Sequence, residues 1–190
     1  MRLFVALDID AEIRIRIESF VRNLKSQVPD VRLVGPETYH ITLKFLGETS
    51  KVDVIRDHLR TVQSPLFDVS FRGTGFFPSA QRPRVFWAGI EGGAELAALA
   101  GKIDSALAPL GFEREKGPYR PHLTLSRKGS GNPRNHRAPA NTGFQHVQQI
   151  LSSMSQPEFG TMTAREFFLY ESRLSPAGAS YTKLERFTLG

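Results

Sequence analysis

The sequence predicts an α+β fold in which two pseudo-symmetric lobes, each an antiparallel sheet with outer helices, surround a central cleft. Strand-like and helix-like stretches are segregated along the chain, and short turns join several of the strands. A short phrase, His-x-Thr-Leu, occurs at residues 40–43 and again at residues 122–125. An apolar content of 40% and a charged content of 23% are typical of a globular chain. We therefore expect residues 1–190 to form a single bilobal domain.

The elements follow from the spacing of apolar residues. Helices are predicted where apolar residues recur every three or four positions, as Ile13, Ile17, Phe20, Val21 and Leu24 do in the first helix. The predicted helices cover residues 11–27, 52–62, 94–110 and 143–154. The predicted strands cover residues 2–8, 31–34, 39–46, 66–72, 74–77, 84–91, about 119–126, 161–171 and 180–188. Residues 129–141 hold Gly, Pro, Asn and Arg without periodicity, which predicts a loop.

The repeated phrase extends upstream of each histidine. Gly35-Pro36 precedes His40 with three residues between them, and Gly117-Pro118 precedes His122 at the same spacing. Composition alone makes even one copy of such a phrase improbable in a chain of this length. The repeat therefore indicates two related halves, each of which contributes one histidine to a shared site.

Strand alternation predicts how each copy is oriented. His40 and Thr42 should share one face of their strand, with Ile41 and Leu43 on the other, and the same holds for residues 122–125. We expect the two histidines on adjacent strands, facing one cleft. Because an unperturbed imidazole has a pKa near 6.5, one histidine can be neutral while the other is protonated, as an acid–base pair requires.

Arg127 follows the second copy at an odd offset from His122, so regular alternation would turn it away from the cleft. Apolar alternation stops at Ser126, and we predict that the strand ends or bulges there and turns Arg127 towards the cleft. The alternative is a solvated surface arginine.

The two phrases, together with Arg2-Leu3-Phe4-Val5-Ala6-Leu7 and Pro121-His122-Leu123-Thr124-Leu125-Ser126-Arg127, resemble the two-histidine phosphoesterase superfamily. Within it the chain is most similar to the RNA 2',3'-cyclic phosphodiesterases, also called 2'-5' RNA ligases. The resemblance implies an enzyme that opens a 2',3'-cyclic phosphate to a 2'-phosphate. It assigns His40 as proton donor, His122 as proton acceptor, and Thr42, Thr124 and Arg127 as phosphate-binding residues. Neither a cofactor nor a metal is expected.

Composition sets the expected surroundings of the protein. A net charge of +6 and a pI near 9.9 suit a polyanionic partner, here an RNA or oligonucleotide with a 2',3'-cyclic phosphate end. The chain has no cysteine, which excludes disulfides and thiolate metal sites. The apolar run Leu3–Leu7 is too short for a membrane span. We expect a cytoplasmic protein, a monomer without an obligate protein partner.

Several alternatives share these residues. The same site would support 2'-5' RNA ligation, the reverse reaction, or turnover of small cyclic nucleotides. A non-catalytic RNA-binding module is a further alternative, which the intact His and Thr of both copies disfavour. We expect His58 and His146, which lie in predicted helices, to face solvent, and His58, His136 and His146 to be dispensable. Arg134 and Arg137 are expected to contact the backbone of longer RNA. Most of the following phenylalanines should be core residues, with base stacking left open for one: Phe67, Phe71, Phe76, Phe77 and Phe86.

Overall fold

The computed structural model of the protein describes residues 1–29, 31–127, 142–175 and 178–190. Within these residues the strands are β1 (Arg2–Leu7), β2 (Ile41–Glu48), β3 (Phe67–Phe77), β4 (Val85–Glu91), β5 (His122–Arg127), β6 (Glu158–Ala164), β7 (Glu166–Ser175) and β8 (Gly178–Thr188). The helices are α1 (Ala11–Gln27), α2 (Val52–Arg60), α3 (Gly93–Leu107) and α4 (Thr142–Ser152). Short 3-10 turns lie at Pro36–Thr38 and Ala108–Leu110.

The strands form two four-stranded sheets. The first has the order β2-β1-β7-β8 and the second the order β5-β4-β3-β6, and every pairing between neighbouring strands is antiparallel. This confirms the predicted α+β fold with antiparallel sheets and four helices. Each sheet places one His-x-Thr-Leu strand at its edge, β2 in the first and β5 in the second.

One predicted strand is wrong. Residues 161–171 are divided between β6 and β7, which belong to different sheets, and the chain passes from one sheet to the other at Arg165. No glycine or proline marks this point, which is why the two strands were predicted as one. The buried positions nevertheless change parity there, from Met162 and Ala164 in one sheet to Phe167 and Leu169 in the other, so regular alternation is broken at Arg165.

Two smaller differences concern strand ends. The predicted strands 66–72 and 74–77 are one strand, β3, whose pairing with β4 is irregular between Phe71 and Thr74. Gly73 lies there with φ near +71°, a conformation that glycine adopts without strain. The predicted strand at 31–34 is reduced to one bridge between Leu33 and Ser126.

The apolar faces meet in one main core. The stripe predicted for α1 is confirmed, since Ile13, Ile17, Val21 and Leu24 are buried in it. β1 is covered on both faces, because Leu3, Val5 and Leu7 enter the main core while Phe4 and Ala6 join a second, smaller cluster with Phe168 and Tyr170. This second cluster lies beneath one of the motif histidines, as described below.

Among the described residues, no helix is both long enough and apolar enough to cross a membrane.

Candidate active site

The two motif strands, β2 and β5, are edge strands of separate sheets and form no hydrogen-bonded strand pair with each other among the described residues. The two halves are nevertheless joined directly. The Tyr119 hydroxyl, three residues before His122, donates a 2.8 Å hydrogen bond to the carbonyl of Thr42. The backbone N–H of Val34 donates a 2.9 Å bond to the Leu125 carbonyl. The edges of the two sheets therefore meet where the motifs lie.

Both motif strands carry the same irregularity. Along β1, Val5 pairs with Lys44 and Ala6 with Thr42, so Leu43 is skipped. Along β4, Phe86 pairs with Ser126 and Trp87 with Thr124, so Leu125 is skipped. A bulge turns two consecutive side chains inward, and bulges are frequent beside active sites. The bulge near Ser126 is confirmed, and the matched one in β2 was not anticipated from the sequence.

The histidine rings are oriented in the same way. Nδ1 of His40 lies 2.7 Å from the carbonyl oxygen of Thr38, and Nδ1 of His122 lies 2.9 Å from the carbonyl oxygen of Arg120. A carbonyl oxygen only accepts, so each Nδ1 carries a proton and donates it to the residue two positions upstream. In both rings, Nε2 is then the nitrogen that can take up or release a proton.

His40 lies over the second aromatic cluster. Its ring centroid is 4.8 Å from that of Phe4 and 5.1 Å from that of Tyr181, which meets it edge-on at 87°. Burial is the main reason that the pKa of His40 falls to about 4. The positive charges of Arg127 and His122 lower it further, while the hydrogen bond to the Thr38 carbonyl and the charge of Asp8 oppose the shift.

His122 is less enclosed by aromatic rings than His40. The ring of Phe77 meets it edge-on at 84° with the centroids 4.9 Å apart, and Phe77 in turn lies 5.2 Å from Trp87. Burial lowers the pKa of His122, with a further contribution from Arg127, and the bond to the Arg120 carbonyl opposes it. Phe77 is thus the member of the five candidate phenylalanines that contacts a motif histidine.

Arg127 contacts Thr124, another of the phosphate-binding candidates. Its Nη2 donates a 3.2 Å bond to the Thr124 hydroxyl, across the bulge at Leu125. Its charge lowers the pKa of His40 and of His122, so it is felt by both imidazoles. Thr42 and Thr124 are each half-buried between fully buried apolar neighbours, as the alternation predicted. The structure thus brings Arg127 and Thr124 into contact and joins the Thr42 backbone to the second half.

A cavity of about 710 Å³ opens beside His40. Its walls include Tyr39, Tyr170 and Tyr181 together with charged side chains. Ligand pockets in proteins occupy about 300–1,000 Å³, so this cavity has room for a nucleoside. The sequence did not single out Tyr170 or Tyr181, because they lie more than a hundred residues from His40 and nothing local ties them to it.

The other positions named from the sequence are two helical histidines, four phenylalanines and one loop. His146 is exposed on α4, as expected. His58 is half-buried and not fully solvent-facing as predicted, because its Nδ1 lies 2.8 Å from the Ala106 carbonyl and joins α2 to the end of α3. Phe67, Phe71 and Phe86 are core residues, and Phe76 packs on Phe86. The predicted loop 129–141, with Arg134, His136 and Arg137, lies outside the described residues.

In residues 1–29, 31–127, 142–175 and 178–190, no three His, Cys, Asp or Glu side chains come together in a group that could hold a metal ion.

Comparison with known proteins agrees with this geometry. The family model of the 2'-5' RNA ligase superfamily matches residues 9–172. The RNA 2',3'-cyclic phosphodiesterase of Archaeoglobus fulgidus is 39% identical over 189 residues, which cover 98% of this chain and 99% of the relative. The protein of the same name from Methanothermobacter thermautotrophicus is 34% identical over 196 residues, covering 100% of this chain and 99% of the relative.

Solved structures show the same relationship. E. coli LigT complexed with 3'-AMP superimposes with a TM-score of 0.76 at 27% sequence identity, covering 99% of this chain and 97% of LigT. The TT0787 protein of Thermus thermophilus superimposes with a TM-score of 0.74 at 27% identity over the same shares. The match extends over both sheets and both motifs, and it confirms the resemblance found in the sequence. The curated relatives of this chain are enzymes, the RNA 2',3'-cyclic phosphodiesterases. The chain belongs to the 2'-5' RNA ligase superfamily.

Proposed function

We propose that this protein hydrolyses RNA 2',3'-cyclic phosphate ends to 2'-phosphates by metal-independent acid–base catalysis. His40 acts as proton donor and His122 as proton acceptor, while Thr42, Thr124 and Arg127 bind the phosphate. The observation that carries the proposal is the matched orientation of the two imidazoles, each held through Nδ1 by a carbonyl two residues upstream. That arrangement leaves two Nε2 atoms for the two proton transfers that ring opening needs.

The reaction balances with water as the only co-reactant. Nε2 of His122 takes a proton from water as the water oxygen attacks phosphorus. The bond from phosphorus to the ribose 3'-oxygen breaks, and Nε2 of His40 gives its proton to that oxygen. The product carries a 2'-phosphate and a 3'-hydroxyl. Proton exchange with solvent then returns both histidines to their starting states.

Arg127 and the two threonines supply donors for the non-bridging oxygens. Charge grows on these oxygens in the transition state, so a guanidinium and hydroxyl groups stabilise it more than they stabilise the substrate. The bond from Arg127 to the Thr124 hydroxyl holds both groups in one orientation before substrate arrives. Pre-organised donors avoid the cost of reorientation during the reaction.

The negative charge of the substrate also changes the pKa values of the two histidines. In the free protein burial lowers the pKa of both imidazoles and takes His40, the assigned donor, to about 4. A phosphodiester anion bound between them raises both values, because an adjacent negative charge favours the protonated imidazole. Binding of the substrate therefore favours protonation of His40, and His40 then donates this proton to the leaving oxygen.

The partner is an RNA end. Aromatic side chains accept splayed bases by stacking, and the tyrosine-lined cavity beside His40 and the half-buried Phe77 beside His122 are suited to this. The net charge of +6 favours a polyanion. In ligation through a 2'-5' linkage, the activity in the name of the superfamily, a 5'-hydroxyl of a second RNA would replace water as the attacking group, with the same groups in the same roles. Water at high concentration favours hydrolysis.

Product analysis tests the proposal. A defined oligoribonucleotide ending in a 2',3'-cyclic phosphate is incubated with the protein, and its products are compared with synthetic 2'-phosphate and 3'-phosphate standards. We expect the 2'-phosphate alone, at the same rate with and without EDTA. Absence of turnover would favour the non-catalytic RNA-binding module. A rate abolished by EDTA and restored by a divalent cation would exclude metal-independent catalysis.

A further inference from the structure

The residue four positions after each motif histidine is buried although it is polar. Lys44 follows His40 at this distance and Ser126 follows His122, and their exposed fractions are 3% and 2%. The matched bulges at Leu43 and Leu125 explain why, since each bulge turns the leucine and the next residue inward together. A buried polar group is stable only with a hydrogen-bond partner.

Each of these residues finds its partner in the opposite half of the molecule. Nζ of Lys44 donates a 2.8 Å bond to the carbonyl of Glu113, in the segment that leads to His122. It also pairs with the Asp104 carboxylate on α3. The Ser126 hydroxyl donates a 2.6 Å bond to the carbonyl of Arg32, in the segment that leads to His40.

Two further hydrogen bonds to backbone carbonyls cross between the halves in the same reciprocal way. The first half donates from the Val34 N–H to the Leu125 carbonyl, and the second half donates from the Tyr119 hydroxyl to the Thr42 carbonyl. Residues 31–36 and 111–121, which enter the two motifs, are therefore each bonded at two points to the opposite motif strand. The two sheets share no hydrogen-bonded strand pair among the described residues, so these bonds join the two motif strands directly across the shared core.

We infer that Lys44 and Ser126 are reciprocal positioning residues, which hold the approach segment of each motif on the strand of the other and thereby fix the gap between the two imidazoles. We call their bonds the Lys44 clasp and the Ser126 clasp. The inference rests on the proposed function, because a fixed gap matters to a reaction in which both histidines act on one phosphorus. A misplacement of about 1 Å can cost about 100-fold in rate, so loosening either clasp should slow chemistry.

Steady-state kinetics on uridine 2',3'-cyclic phosphate, well below the melting temperature, measure this effect. We expect Lys44→Met and Ser126→Ala each to lower kcat by about 10-fold with KM changed less than about 3-fold, since every phosphate-binding group remains. The double variant should lose less than the product of the single losses, because both act on one gap. Full kcat in both single variants would overturn the inference.

Matched controls use exposed residues with the same kind of bond. Nζ of Lys51 donates a 2.7 Å bond to the Leu110 carbonyl, and the Ser152 hydroxyl donates a 2.7 Å bond to the Gln149 carbonyl. Both bonds are open to water, which replaces them at little cost. Lys51→Met and Ser152→Ala should leave kcat unchanged.

A second-site variant separates positioning from stability. Lys44→Met leaves the Asp104 carboxylate without its cation, which lowers the melting temperature. Lys44→Met/Asp104→Leu removes that charge, so the melting temperature should recover. The Glu113 carbonyl still lacks its donor, so kcat should stay low. Recovery of kcat together with the melting temperature would make Lys44 a structural residue only.

Hydrogen–deuterium exchange tests the clasps without using activity. Lys44→Met should speed amide exchange in residues 111–121, and Ser126→Ala should speed it in residues 31–36, each in the half opposite to the substitution. Unchanged exchange in those segments would refute the clasps. A wild-type protein that fails to open the cyclic phosphate would instead refute the proposed function and leave the exchange result standing.

Discussion

The two halves of the site use one local design in two different settings. His40 and His122 share the Nδ1 bond to a carbonyl, an aromatic ring placed edge-on, and a bulge at the motif leucine. They differ in what surrounds them. His40 lies on a buried aromatic cluster, whereas His122 has Phe77 and the Arg127–Thr124 pair. The repeat therefore fixes the orientation of each imidazole, while the surroundings fix its charge.

This difference bears on the two roles. Burial takes the pKa of His40 to about 4 and also lowers the pKa of His122. A low pKa in the free protein disfavours the protonated imidazole that the proposed donor role of His40 requires. A bound phosphate anion favours that protonated form, and the variants below measure how far each histidine depends on its surroundings.

The largest effect is expected from the imidazoles. His40→Ala and His122→Ala should each lower kcat/KM by about 100-fold or more, because general acid–base catalysis contributes about 10²–10⁴. Circular dichroism should show both variants folded. The exposed His146 provides the control, and His146→Ala should match the wild type. A silent substitution of either motif histidine would contradict a two-histidine mechanism.

A smaller loss is expected at Arg127, whose charge acts on both halves. Arg127→Ala should reduce kcat for a cyclic mononucleotide by about 10- to 100-fold, because the guanidinium stabilises charge on the reacting phosphate. Arg186, which is ion-paired with Glu166 on the surface, is a matched control. Full mononucleotide turnover by Arg127→Ala would make it the solvated surface arginine of the alternative interpretation.

The threonines should differ from each other in how they combine with Arg127. Thr42→Ala and Thr124→Ala should each cost about 3- to 10-fold, since each removes one neutral donor. Because Arg127 donates to the Thr124 hydroxyl, losses at Thr124 and Arg127 should be less than multiplicative. Losses at Thr42 and Arg127 should multiply. Equal coupling in both double variants would show that the contact has no role in turnover.

The smallest effect is a displacement of the pH optimum. Because both histidine pKa values lie below 6.5 in the free protein, the bell-shaped curve of kcat/KM should peak below pH 6.5. The curve of kcat should peak at higher pH, since bound phosphate raises both values. Arg127→Ala removes a charge that lowers both, so its kcat/KM optimum should move upward. A kcat/KM optimum above pH 7 in the wild type would contradict this account of the two environments.

Much of the candidate site was open to prediction because it depends on short-range pattern. His40, Thr42, His122 and Thr124 sit in a phrase that repeats, and the loss of alternation at Ser126 predicted the bulge that turns Arg127 towards Thr124. Tyr181 and Lys44 escaped prediction for a common reason. Tyr181 reaches His40 from β8, at the opposite edge of its sheet, and the partners of Lys44 lie sixty or more residues away.

The sequence by itself determined the α+β class, the stripe of α1 and the two His-x-Thr-Leu motifs, because composition, periodicity and spacing are properties of neighbouring residues. Resemblance of these motifs to known sequences indicated the family. The tertiary structure decided which strands share a sheet, where the chain crosses at Arg165, how far burial lowers the pKa of His40, and which buried groups join the halves. These depend on surfaces brought together from distant parts of the chain. Desolvation and hydrogen bonding act on that assembled surface, and no short stretch of sequence specifies it.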